Sequence, residues 1–492
     1  MVISKSRYLK YCQCPKLVWL EKNLKIDDNT NKFVYLYNPA KEVEELSWKL
    51  FSGKSAVICD GGGKYHFEKM AKYTKELIDC GEKVIYKATF LADKSYFVID
   101  IIKKVKNGYM VYLVKPSKNL RQNFLQEMAY IGYALKMAGV SVYRYIIVTI
   151  NKDFVKNGNI NPKQFFKLNY VGTKIKQFEG DIEQNILGYE NIIKSEVEPE
   201  DKFCPQCISR NCIYLNHCSS HLPVPSVFDL HACTNKGELY SKKIWSFEDI
   251  LNSGTPLNDI QKRQIDFNIN DKKIYVDKEN LNRFLDKLSY PLYFLDFETT
   301  FQEVPAFDGI KPFEVIPFQY SLHYINKKGG KVYHKEFLSD ENSNPKVELS
   351  KHLFEDLKGC KTILAYNIAL EKNVVLSLGR EFKEYKDFSE KLSKNFVDLI
   401  EPFDNGYVYD KKMGGSFSLK SVLPALFPDD PALNYSNLED IHNGLDARMI
   451  FPSLKFMSES DRKRERENLL RYCYLDTFAM VKIVEKLTKL GK

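Results

Sequence analysis

The stretch that most restricts what this chain can fold into is Tyr293–Thr300, YFLDFETT, with Leu292 before it. Four apolar or aromatic residues in a row, Leu292, Tyr293, Phe294 and Leu295, favour a buried strand. Alternation along a strand sends Asp296 and Glu298 to one face. Two carboxylates about 6–7 Å apart on one face repel each other and cost stability unless something compensates them. A divalent cation is the usual compensation. Mg²⁺ and Mn²⁺ prefer oxygen ligands and are held by few carboxylates together with substrate phosphates. The plainer alternative is an edge strand carrying two solvated acids.

At 492 residues the chain is too long for one core, so two or three domains are expected. Lys and Arg exceed Asp and Glu by 73 to 64, a mild excess compatible with a nucleic-acid surface. No apolar run is long enough to span a membrane and Met1–Lys10 carries no signal-peptide pattern, so a cytoplasmic protein with no membrane partner is expected. The 11 cysteines are odd in number and unevenly spread, which argues for a metal site over a disulfide framework.

Along the chain, Ser4 and Ser6 are candidate caps for a helix carrying Tyr8, Leu9 and Tyr11, and a second helical stretch carries Leu17–Leu20. Residues 83–91, 96–103 and 108–115 read as successive strands. A helix over 120–138 follows, with apolar positions at Phe124, Met128, Ile131 and Leu135, then a strand over 140–150. Residues 204–221, CPQCISRNCIYLNHCSSH, bring Cys204, Cys207, Cys212 and Cys218 close together in sequence. Thiolates so grouped can hold zinc or an iron–sulfur cluster, and the spacing does not choose between them.

On these residues the front half resembles the RecB-like PD-(D/E)XK nucleases. That resemblance implies a 4Fe-4S cluster clamped by one early and three late cysteines, with Cys14 as the early ligand and Cys212 and Cys218 as the last two. Cys204 and Cys207 compete for the remaining place. The nuclease motif itself is damaged. Asp100 and Lys115 are kept, but Leu113 stands where the metal-binding Glu belongs, Ile131 where a Gln is expected, and Lys87 where an acid is often found. Leucine cannot bind a cation. The expectation is a domain that folds as a nuclease and does not cut, with nucleic acid or a partner as what it holds. Gln122, Gln126 and Glu127 are the remaining oxygen donors nearby.

Pro223 and Pro225 mark a break, and 223–288 reads as a helical connector with a turn at Ser253–Pro256. From 289 onward the chain resembles the DnaQ-like DEDD exonucleases on a ribonuclease-H-type fold. The match rests on LDFET, PFQYSLH, AYNIALE, GGSFSLKSVLPAL and YCYLDTFAM. The order of the two halves resembles a bacterial family of uncharacterised proteins that joins a RecB-like front to a DnaQ-like back. The fold class expected is therefore α/β, with a RecB-like domain over 1–222, the connector, and a DnaQ-like domain over 289–492.

By this resemblance Asp296, Glu298, Glu371 and Asp476 hold two Mg²⁺ or Mn²⁺ ions. Glu371 stands where the family has Asp, in Asn367-Ile-Ala-Leu-Glu371. Tyr472 and Asp476, four residues apart, share a helix face, and Tyr472 orients the attacking water. Asn367 and Lys420 are candidate substrate contacts. Asp398 is more readily a capping residue than a fifth acid. Gly414 and Gly415 allow close approach of backbone to a ligand, or else simply precede a helix starting near Ser418. The expected activity is two-metal, 3′→5′ hydrolysis of phosphodiester bonds in DNA or RNA, in single-stranded form. Its rivals are a nucleic-acid-binding or scaffold protein with both sites inactive, and a nuclease working through Asp100 and Lys115.

Overall fold

The computed structural model describes residues 3–25, 36–59, 64–92, 95–200, 212–435, 441 and 443–492. They form a mixed α/β protein of two units. The first is built mainly from Asn38–Cys218, the N-terminal helices and an excursion over Gln302–Glu314; the second from Ser219–Phe301 and Val315–Lys492. Among the described residues no helix is long and apolar enough to cross a membrane.

The first unit is organised on a sheet of seven strands: β1 (Ile3–Ser4), β2 (Lys54–Ser55), β3 (Val84–Ala92), β4 (Ser95–Val105), β5 (Gly108–Val114), β6 (Val142–Ile150) and β7 (Phe166–Tyr170), in the order β2-β3-β4-β5-β6-β7 with β1 alongside β4. β3, β4 and β5 form an antiparallel meander. β6 runs parallel to β5, which requires a crossover, and helix Gln122–Met137 supplies it. Both faces are buried, as the apolar content of these strands demands. Ile99, Leu113 and Ile147 pack on Met128, Ile131 and Leu135 of that helix. Tyr86, Ile101, Tyr112 and Ile146 pack on Val43 and Leu46 of helix Pro39–Trp48. At the N-terminus Ser4 caps helix Lys5–Gln13 by accepting the Arg7 N–H at 3.2 Å, and Pro15 opens helix Pro15–Asn23.

The second unit holds a five-stranded sheet of β9 (Leu292–Thr300), β10 (Ile316–Ile325), β11 (Val332–Leu338), β12 (Thr362–Ala365) and β13 (Phe396–Asp398), in the order β11-β10-β9-β12-β13. β9 is its middle strand, antiparallel to β10 and parallel to β12. Tyr293, Leu295 and Phe297 face a core shared with Leu349 and Leu353 of helix Pro345–Asp356 and with Leu378 of helix Ala369–Glu381. Leu292 and Phe294 face the other way, onto Met480, Ile483 and Leu487 of the long helix Glu459–Gly491. Asp296 and Glu298 continue this second face, so the apolar seam between strand and helix ends in acids.

Residues 223–288 are helical as expected, with helices Lys236–Ser241, Phe247–Asn252, Asp259–Ile269 and Lys278–Leu285. Phe267, Leu281 and Phe284 are buried in the same core as Leu292 and Leu487, and the short strand β8 (Ile274–Val276) pairs with β14 (Val408–Asp410). These residues are thus packed into the second unit.

Candidate metal centre

Asp296, Glu298 and Asp476 each place a carboxylate oxygen within 4.8 Å of the other two. Among the described residues this is the only group of three or more His, Cys, Asp or Glu side chains so arranged. The strand contributes two acids by alternation and the helix contributes the third by its contact with the strand. That contact is held by Cys473, fully buried, whose thiol donates to Asp296 Oδ2 at 3.5 Å. Thr477, one turn on, bonds Ser321 of β10 at 2.7 Å.

Among the described residues no lysine or arginine is within ion-pair distance of these carboxylates. The consequence is electrostatic. Burial, and then the charge of Asp476, push Glu298 up to about 8. Burial pushes Asp476 up to about 6, against the hydroxyl of Tyr435 and the charge of Lys420, which pull it down. Asp296 is raised well above the carboxylate range by burial and by Asp476, Glu298 and Glu371. Without a cation the centre takes up protons.

Glu371 is near but apart. It lies in the first turn of helix Ala369–Glu381, is 4% exposed, and its oxygens fall outside the 4.8 Å group. Its Oε2 is buried with no hydrogen-bond partner, and burial pushes the group up to about 7. Three of the four expected acids are therefore together, and the fourth is a buried carboxylate with one oxygen unsatisfied.

Tyr472, buried, lines the same cavity of about 340 Å³ as the three acids, one helical turn before Asp476. Burial and then Asp476 raise its hydroxyl pKa, so it stays protonated. Lys420, second residue of helix Leu419–Leu426, also lines the cavity, with its Nζ 5.4 Å from the ring of Tyr435 and 5.7 Å from that of Tyr472.

Asn367 is the other residue expected to contact substrate. It is exposed, does not line the cavity, and sits at φ 66 in the tight link between β12 and the next helix. Its N–H is taken by Asp398 Oδ1 at 2.8 Å, and Asp398 also accepts the N–H groups of Ile368 and Ile400. Asp398 is the capping residue of this loop, and Asn is among the residues that tolerate the left-handed region. Gly415 serves packing: a Cβ there would meet the Asp229 carbonyl at 1.8 Å. Ser418 begins the helix.

Two residues beside the trio stand outside the sequence motifs. Tyr435 donates its hydroxyl to Asp476 Oδ1, and Arg448 lines the wall beside Glu298. Neither belongs to a periodic motif that could have flagged it. Cys473 stood in view inside YCYLD.

The front-unit candidates form a different cluster. Asp100 accepts the Val114 N–H at 2.7 Å and lies 3.9 Å from Lys87, which pairs with Glu44. Lys87 sits opposite Asp100 at a break in the β3–β4 register, with φ 54. Lys115 pairs with Glu127 at 2.6 Å, and Lys5 pairs with the same carboxylate at 2.8 Å. Burial would raise Glu127, yet these two ammoniums hold it below the usual range. Leu113 and Ile131 are in the apolar core.

Of the cysteines, Cys204 and Cys207 lie outside the described residues. Cys14 stands at the N-cap of helix Pro15–Asn23. Cys218 is buried against Leu20 of that helix and Tyr214, with Cys212, Leu17 and Trp19 packed around them. The late cysteine segment thus rests on the helix that Cys14 begins.

A family described as "Domain of unknown function (DUF2779)" has a model that matches residues 293–418, the part of the second unit from β9 to Ser418. No curated protein matches the chain.

Proposed function

We propose that the second unit is a metal-dependent phosphodiester hydrolase that shortens DNA or RNA from the 3′ end, and that the first unit holds nucleic acid without cutting it. The observation that carries this reading is the trio of Asp296, Glu298 and Asp476, with donor oxygens within 4.8 Å of one another and no ion-pair partner among the described residues. Hard oxygen donors of this kind suit Mg²⁺ or Mn²⁺. Glu371, whose charge acts on Asp296 and Glu298, carries a fourth donor oxygen, Oε2, without a hydrogen-bond partner.

Two bound cations would lower the pKa of an attacking water and stabilise the leaving oxygen. The protein's part is to hold and orient. Asp296, Glu298 and Asp476 would ligate the ions, with Glu371 completing the set. Tyr472, kept protonated, would donate to or orient the water, and Lys420 would meet a phosphate. Tyr435 fixes the rotamer of Asp476 through its hydroxyl. Polarity and the choice of nucleic acid follow from the DnaQ-like resemblance alone.

The first unit enters as a binder because its acids already carry cations and Leu113 is core. A 4Fe-4S cluster, or zinc, at Cys14, Cys212, Cys218 and one of Cys204 and Cys207 would staple its N-terminal helices to the late segment. Anaerobically purified protein with broad visible absorbance supports the cluster; colourless protein with one zinc per chain selects zinc.

The central test uses single-stranded DNA and RNA labelled at either end, with and without Mn²⁺. Stepwise shortening from the 3′ end by the wild-type chain and none by Asp296→Asn is expected. Strands left intact by Mn²⁺-loaded wild-type protein would sink the proposal.

A further inference from the structure

The cavity of the acidic trio contains a cation that the scheme above leaves without a task. Arg448 lies on helix Gly444–Ser453. Gly444 and Arg448, one turn apart, both line the cavity, and a Cβ on Gly444 would meet Glu298 Oε2 at 3.8 Å. The helix is tied to the end of β9, where Thr300 Oγ1 donates to the Arg448 carbonyl at 3.1 Å. The guanidinium rests 4.8 Å from the ring centre of Phe301.

With carboxylates so close, an arginine would be expected to pair with one of them, two N–H groups to two oxygens. Arg448 does not. Among the described residues no carboxylate lies within ion-pair distance of it, and its buried Nε–H has no acceptor. A buried donor left unmade costs about 1–3 kcal/mol. The fold holds that cost in a residue that forms part of the wall of an open cavity. Carboxylates line the same cavity, so an anion entering it needs cations on the protein side as well as any metal. Apolar Leu370, Leu419 and Met480 supply surface for a sugar or base.

We propose that Arg448 donates to a phosphate oxygen of a nucleotide bound in this cavity, with Lys420 as the second cation. The choice of a phosphate as the anion rests on the hydrolase reading. The buried Nε–H without an acceptor among the described residues, and the cavity, do not.

The test is calorimetric titration of the full chain in Mn²⁺ with adenosine 5′-monophosphate, inorganic phosphate and adenosine, for wild type, Arg448→Met and Arg448→Lys. Expected is a loss of nucleotide affinity of about 10- to 100-fold in Arg448→Met, partly recovered in Arg448→Lys. Adenosine binding and Mn²⁺ binding should stay at wild-type values, and the thermal midpoint should not fall. Inorganic phosphate should bind more weakly than the nucleotide and show the same dependence on Arg448. Nucleotide affinity unchanged in Arg448→Met, no nucleotide binding by the wild type, or a parallel loss of Mn²⁺ binding would each overturn the proposal. A wild-type chain that binds the nucleotide through Arg448 yet leaves labelled strands intact would instead remove the hydrolase reading and leave this one standing.

Discussion

The two units each bury a cluster of acids, and the clusters differ in who supplies the positive charge. In the first unit Glu44, Asp100 and Glu127 are matched by Lys87, Lys5 and Lys115 from the chain itself. In the second, Asp296, Glu298 and Asp476 have no ion-pair partner among the described residues, and their pKa values rise. A buried acid cluster with its own cations is a finished piece of structure. One without them is poised to take cations from solution, or protons when none are present.

The sharpest way to break this comparison is to mutate one acid in each cluster. Asp296→Asn should lower Mn²⁺-dependent hydrolysis by about 1,000-fold or more, since a metal contributes several kcal/mol to the transition state. Asp100→Asn should leave the rate within a factor of about three of wild type. The reverse pattern in a gel assay would make the first unit the cutter. The next effect is on folding. Lys87→Met leaves Glu44 and Asp100 in mutual repulsion, and denaturant unfolding should show a loss of about 3 kcal/mol with hydrolysis untouched. Tyr472→Phe should follow, with kcat down about 100-fold and Mn²⁺ affinity preserved by titration.

The smallest effect is a pH dependence. Glu298 and Asp476 have folded-state values of about 8 and about 6, above those of the unfolded chain. The folded protein therefore binds more protons than the unfolded one. The contribution of these two acids to the stability of the metal-free protein is fully present below the unfolded carboxylate range and is lost as pH rises toward 8. A drop in melting temperature on the order of 5 °C between pH 5 and 8 is expected, with Mn²⁺ restoring more at pH 8 than at pH 5. A metal-free melting curve insensitive to pH, or the same slope in Glu298→Gln, would show that the trio is not the source.

Much of the second unit was legible because local rules and tertiary packing agree there. The apolar run at 292–295 became a central strand, alternation set Asp296 and Glu298 on one face, and the four-residue spacing of Tyr472 and Asp476 set them on one helix face. Asp398 as a cap and Ser418 as a helix start also followed from local chemistry. The left-handed backbone of Asn367, at φ 66, was not legible from its place in a motif. That Glu371 would be buried outside the 4.8 Å group was not legible, because its reach depends on how its helix packs.

What the sequence by itself determined is therefore which residues share a face: period 2 and period 3.6 are properties of the backbone and need no partner. Only the tertiary structure decided which faces meet. It brought Asp476 to Asp296 across 180 residues, gave Tyr435 its carboxylate, left Arg448 without one among the described residues, and paired Lys87 with Glu44. Charge balance is a sum over neighbours in space, and neighbours in space are what folding, not sequence order, creates.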